Sequence, residues 1–220
     1  MSERWPGDPT EVEESEEEEE EEELDEELPV DERAPADEEK EEELPRLRTP
    51  DEELQHAYGE LDIPDDVYVL EGSPDGMRRG VAIVASKFNG EITNKLLEAA
   101  LEELEAAGVR PEAITVMPVP GAFELPLAAM ALAKTRRYAC VVALGCVVRG
   151  ETPHFDFIAS EAASGLQLAA LETGVPVAFG VLTVDVLEQA EARVSKGAEA
   201  VRTALEMADA FAQLRASAAR

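Results

Sequence analysis

The segment Val147-Val148-Arg149-Gly150-Glu151-Thr152-Pro153-His154 carries the most chemistry for its length. Thr152 suits an N-cap and Pro153 a first helical position, so a helix is expected to begin there. The first N–H groups of a helix lack helical partners and attract anions, phosphate above all. His154 falls at the second helical position, beside those groups. Histidine changes charge near neutrality and is the usual proton shuttle. The plainer alternative is a hydrogen-bonded surface histidine. Three other segments add to this set. In Ser86-Lys87-Phe88-Asn89-Gly90, Phe88 either stacks on a planar ring or closes off the core. In Pro118-Val119-Pro120-Gly121-Ala122-Phe123-Glu124, Gly121 permits close backbone approach. Glu124 there either holds a polyol or compensates a helix dipole. Arg193 and Lys196 lie three apart, on one helix face if the helix is continuous. They either bind phosphate through charge-assisted bonds or stay solvated.

Together these residues suit a phosphorylated small substrate and a flat heterocycle. Other chemistries lack their residues. The sequence has no Gly-x-Gly-x-x-Gly and no phosphate loop of the Walker type. Its two histidines, His56 and His154, are far apart, so neither a triad nor a metal-ligand spacing is readable. Cys140 and Cys146 share one apolar run. Along a strand they stand about 20 Å apart, too far for a disulfide. Two buried free thiols fit a cytoplasmic enzyme.

Positioning these residues requires a frame, and the apolar pattern supplies one. Short apolar runs are expected to be strands at Val81 to Ala85, Ala113 to Val119, Tyr138 to Val148 and Val175 to Leu182. Helical patterns alternate with them, at Ile92 to Ala107, Phe123 to Ala133, Pro153 to Thr173 and Val186 to about Leu214. Gly108 sits where a helix-ending glycine belongs. Val67 to Leu70 is a further short strand candidate. The main strands are continuously apolar, as expected when both faces are covered. The architecture is therefore an α/β sandwich with a four-stranded parallel sheet between helix layers. In such folds ligands sit at the carboxyl ends of the strands, where all four segments above fall.

The charge is unevenly spread. The chain has 220 residues and a formal net charge of −31. Residues 1–60 hold 28 acidic and 5 basic residues, net −23, which leaves −8 for the rest. Glu16 to Glu23 is unbroken glutamate. Like charges repel and little apolar surface is present, so residues 1–64 are expected to be a disordered acidic tail before a domain at 65–220. The tail is either a solubilising arm or one that recruits a cationic partner. Thr49-Pro50-Asp51-Glu52, followed by Leu54, Ala57, Tyr58 and Leu61, is expected to form a short helix over 50–61. The acidity argues against nucleic acid and anionic membrane surfaces as partners. No secretory signal or membrane span is read, and the expected location is cytoplasmic.

The blocks VAIVASKFNGEIT, VPGAFELP, ALGCVVRGETPHFDFIASE, LETGVPVAFGVLT and LEQAEAR…KGAEA…ALEMA occur in one order. From about Val67 to Phe211 the chain resembles the 6,7-dimethyl-8-ribityllumazine synthases of riboflavin biosynthesis. The resemblance implies a flavodoxin-like fold and no metal or organic cofactor. It implies two small-molecule substrates, 5-amino-6-(ribitylamino)uracil and 3,4-dihydroxy-2-butanone 4-phosphate, with phosphate and water released. By motif, Phe88 would stack on the pyrimidine. Ala122 and Glu124 would hold the ribityl chain, and the backbone at Val147 and Val148 would meet the pyrimidine edge. Gly150, Thr152 and Arg193 would bind phosphate, and His154 would shuttle protons. Phe179 and Lys196 would complete the pocket. The resemblance also implies a homo-oligomer, a pentamer or an assembly of pentamers, with Phe179 and Arg193 coming from the neighbouring subunit. One departure is plain: Arg193-Val194-Ser195-Lys196-Gly197 closes a gap that is longer and contains Gly, Thr and Lys in the family. Alternatives on the same fold are a non-catalytic flavin or lumazine binder and a cargo-gathering shell.

Overall fold

The computed structural model describes residues 61–218. The chain alternates strand and helix. β1 is Val81–Ser86, α1 Gly90–Ala106, β2 Ile114–Val119, α2 Leu125–Lys134 and β3 Cys140–Val148. These are followed by α3 His154–Thr173, β4 Val177–Val184, α4 Leu187–Glu191 and α5 Lys196–Ala218. The sheet is wholly parallel, in the order β2-β1-β3-β4. The α/β sandwich with a four-stranded parallel sheet is thus as expected.

Its two faces bury different side chains. Alternate residues of a strand point to opposite faces. Ile83, Cys140, Val142 and Leu144 meet Leu96, Ala100 and Leu104 of α1 and Val201 and Leu205 of α5. Val84, Val141 and Ala143 meet Leu125 and Ala129 of α2 and Ala162 and Leu166 of α3. Hence β1 is buried throughout and β3 along all but its last residue, which is why both read as unbroken apolar runs. The outer strands β2 and β4 each expose residues.

The strand order creates the crevice. From β1 the chain steps outward to β2, then crosses back to β3 and continues to β4. The connections after β1 and β3 therefore diverge, and a cleft opens at their carboxyl ends.

Three expectations need correction. Val67 to Leu70 forms no strand, because no strand of the described residues pairs with it; Tyr68 is 81% exposed. The expected long last helix is two helices, broken at residues 192–195. There Arg193, Lys196, Gly197 and Ala198 donate to carbonyls only three residues back. Such tight turns interrupt the α-helical ladder and let the axis change direction. The break lets Gly197 press against α1, where an added Cβ would lie 2.1 Å from the Leu96 carbonyl oxygen. The second helix begins two residues later than expected, at Leu125, because Ala122–Glu124 forms a 3₁₀ turn first. The remaining boundaries move by one or two residues, and Gly108 takes the positive φ expected of it, +84°. The helix expected over 50–61 lies, except for Leu61, outside the described residues.

Candidate active site

Three loops meet at the crevice, and each is held by identifiable bonds. After β1, Lys87 N–H donates to Val119 O at 2.8 Å and Phe88 N–H to Pro120 O at 3.1 Å. The loop after β1 is thereby fastened to the end of β2. The buried Ser86 hydroxyl donates to Phe88 O, and buried Thr93 donates to Asn89 O. Asn89 has a left-handed backbone, φ 53°, and its Nδ2 donates to Cys146 O at 2.8 Å. Pairing of β1 with β3 ends at Ala85↔Leu144, so the Asn89 amide meets a carbonyl two residues beyond the last rung. With its backbone fixed, Phe88 stands 70% exposed at the mouth.

After β2, Gly121 N–H donates to Glu124 Oε2 at 2.8 Å. A Cβ at Gly121 would approach that oxygen to 3.2 Å. One oxygen of the carboxylate thus closes the start of the 3₁₀ turn. A carboxylate has about four acceptor positions, so it retains capacity for a hydroxyl.

After β3, Arg149 N–H continues the ladder by donating to Val184 O at 2.9 Å. Its guanidinium donates from Nε to Asp185 at 2.8 Å and from Nη1 to Asp156 at 3.1 Å, and lies 4.2 Å over the Phe155 ring. Bonding to Asp185, and then to Asp156, holds that guanidinium more firmly protonated than usual. Thr152 is not the N-cap expected of it. Pro153 occupies that position in a helical conformation, no side chain caps α3, and His154 is the first helical residue rather than the second. The helix start is open and exposed.

These loops line one cavity of about 720 Å³, within the usual range for small-ligand sites. Eight of the eleven residues expected at the site line it: Phe88, Ala122, Glu124, Val147, Val148, Gly150, Thr152 and His154. The other three do not. Phe179 pairs with Ala143, five rungs below the Val148↔Val184 pair, about 16 Å down the outer strand. Arg193 Nη1 donates to Gln189 O at 2.8 Å. Lys196 Nζ is bound by both oxygens of Glu199 at 2.8 Å. The helix break separates Arg193 from Lys196, so the expected shared helix face does not exist.

The sequence reading missed part of the lining: Phe123, Cys146, Phe155, Phe157 and Ile158 also face the cavity. The three aromatics were quoted within motifs, but a single phenylalanine beside a helix start gives no sign of which way it faces. Burial pushes the Cys146 thiol up, so it is a neutral wall rather than a nucleophile. The mouth therefore offers aromatic faces, strand-end backbone, a carboxylate, an open helix start and an imidazole. None of its lining residues is Lys or Arg.

The comparisons with known proteins agree with this arrangement. The family model described as 6,7-dimethyl-8-ribityllumazine synthase matches residues 78–212, which span β1 to most of α5. A 6,7-dimethyl-8-ribityllumazine synthase of Syntrophus aciditrophicus (strain SB) is 46% identical over 144 residues, covering 63% of this chain and 92% of that protein. This chain belongs to the 6,7-dimethyl-8-ribityllumazine synthase family, transferases of riboflavin biosynthesis.

Proposed function

We propose that the chain condenses 5-amino-6-(ribitylamino)uracil with 3,4-dihydroxy-2-butanone 4-phosphate, releasing phosphate and water. The observation that carries this reading is the convergence of Phe88, Ala122, Glu124, Gly150, Thr152 and His154 on one cavity. Phe88 stacks on the pyrimidine, whose edge meets the backbone of Val147 and Val148. Glu124 accepts ribityl hydroxyls beside Ala122. The phosphate sits against Gly150, Thr152 and the first N–H groups of α3. Holding an amine against a ketone removes much of the entropic barrier to imine formation. His154 takes and returns the protons that imine formation, phosphate departure and ring closure require.

A phosphate dianion is best met by a cation. The cavity lining holds none, and Arg193 and Phe179 stand outside it. In this reading a neighbouring copy supplies both, so the working unit is a homo-oligomer, a pentamer or pentamers assembled. Lys196 is occupied by Glu199 and contributes less than its motif implies. The family model's match begins at residue 78, after the acidic segment of residues 1–64.

The test is direct. Purified chain is incubated with both compounds while lumazine fluorescence is followed, with His154→Ala in parallel. Product from the wild type and slowed turnover in the folded variant support the reading. Binding without product rejects the reaction, and unchanged kinetics in the variant reject the role of His154.

A further inference from the structure

The loop that carries the site's polar groups has little to hold it. Gly150 to His154 is exposed, a Cβ at Gly150 would meet nothing within 4 Å, and no side chain caps α3. Something must nevertheless fix where the helix begins. Arg149 flanks the loop on one side, and Phe155 and Asp156 flank it on the other. The guanidinium carbon stands over the Phe155 ring, 4.2 Å from its centre, and Nη1 bonds both oxygens of Asp156, at 3.1 and 3.4 Å. Its Nε reaches across to Asp185, the residue after β4, at 2.8 Å. From there the bonds continue. Asp185 N–H donates to Gln189 Oε1 at 2.9 Å, and Gln189 O accepts from Arg193 Nη1 at 2.8 Å.

We infer that Arg149 is a positioning residue: its guanidinium sets the span of the Gly150–His154 loop at its own site and, through Asp185 and Gln189, the pose of the Arg193 that its chain offers to a neighbouring site. This rests on the reaction proposed above. Arg149 is not itself offered to the phosphate. Its Nε and Nη1 are engaged by two carboxylates and Phe155 lies against it, so its charge is already neutralised locally. Geometry matters more than charge here, because only a planar fork serves two carboxylates and a ring face together. Lysine keeps the charge and cannot make that three-sided contact. Exposed ion pairs contribute little to stability, so the effect belongs to catalysis rather than folding.

The experiment compares Arg149→Lys, Arg149→Ala and Asp185→Asn with the wild type in the full-length chain. Each is measured for lumazine formation, for the KM of the phosphorylated substrate, for binding of inorganic phosphate and for the urea midpoint. Positioning predicts that all three lose kcat/KM together, on the order of tenfold, and that KM for the phosphorylated substrate and the dissociation constant of phosphate rise. It also predicts that the urea midpoint stays within error. Wild-type behaviour in Arg149→Lys beside a defective Arg149→Ala would mean that charge alone matters and would overturn the inference. So would unchanged kinetics in all three variants of an active enzyme. A wild type that forms no lumazine fails the reaction itself, a different and separable result.

Discussion

Asn89 links the fold to the site through one amide, and two substitutions separate its two functions. Asn89→Ala removes the bond from Nδ2 to the Cys146 carbonyl, which lies beyond the reach of β1. Leaving that buried carbonyl unpaired costs about 1–3 kcal/mol. The alanine must also adopt the left-handed backbone at φ 53°, which costs a residue with a Cβ roughly 1–2 kcal/mol relative to glycine. Asparagine tolerates that conformation better than alanine does. The expected loss for Asn89→Ala is roughly 2–4 kcal/mol. Asn89→Gly loses the same bond without the backbone strain, so its cost is about 1–3 kcal/mol and smaller than that of alanine at the same position. For a body of this size each kcal/mol moves Tm by about 2–4 °C. Thermal unfolding at fixed protein concentration should therefore rank wild type above Asn89→Gly above Asn89→Ala. Because Asn89 also anchors the turn bearing Phe88, both variants should raise the KM of the pyrimidine substrate. Equal stability of the two variants would refute the strain argument. Wild-type stability and KM in Asn89→Gly would refute the anchoring argument.

Two further outcomes follow from shifted groups. Burial pushes the Cys140 thiol up to about 12 and Cys146 in the same direction. At pH 8 the Cys140 thiolate fraction is then on the order of 10⁻⁴, so native chain should leave Ellman's reagent almost unreacted and denatured chain should yield two thiols. Rapid labelling of the native chain would contradict the packing around β3. Both folded values lie above the ordinary thiol value of 9.0. Their stabilisation is thus complete below that pH and is lost as pH climbs through the raised values. At the other end of the scale, bonds from Gln213 and Ser73, with Arg79 nearby, hold the Asp209 carboxyl below its usual range. Asp209→Ala should cost roughly 1–3 kcal/mol at neutral pH, because it frees the segment before β1 from α5. A depressed carboxylate stabilises above its unfolded value and loses that effect as pH falls through the folded one. The gap between wild type and Asp209→Ala in urea unfolding should therefore close in acid, and a constant gap from pH 7 to pH 2 would contradict the assignment.

What could be read from the sequence followed from burial. β1 and β3 are covered on both faces, so their apolar runs had no competing interpretation. The end of α1 was equally plain, because Gly108 takes a conformation that favours glycine. The last helix misled because Ala190, Val201, Leu205 and Ala208 are all buried in the same layer. One apolar stripe passes through the break, and what accompanies the break, the close approach of Gly197 to the backbone of α1, is a tertiary contact that the stripe does not show. Val67 to Leu70 misled for the opposite reason. Its residues favour a strand, but a strand needs a partner, and none is found among the described residues. At the site, single residues in loops were legible when their type was rare, as with His154. Phe123 and Phe157 were not, although they are 55% and 68% exposed beside the same cavity. Their direction depends on how two separate loops fold toward each other.

The residues that did not converge follow a pattern of their own. The eight that meet come from the ends of β1, β2 and β3 and from the start of α3. The three that stay apart all follow α3: Phe179 on β4, Arg193 in the break beyond it and Lys196 at the start of α5. β4 and β2 are opposite edges of the sheet. A surface built at the ends of β1, β2 and β3, with the remaining expected residues on β4 and beyond, does not close within one copy. On the reading proposed above it would close when a neighbouring copy brings Phe179 and Arg193 to the cavity, and repetition of such a head-to-tail contact would generate a ring. The exposed aromatics are divided in the same way, since Phe88 and Phe123 follow β1 and β2 while Phe179 lies on the opposite edge strand β4. In such a ring each chain gives its Arg193 to a neighbour while its own His154 serves itself. The bonds from Arg149 through Asp185 and Gln189 would then join two adjacent sites through one chain.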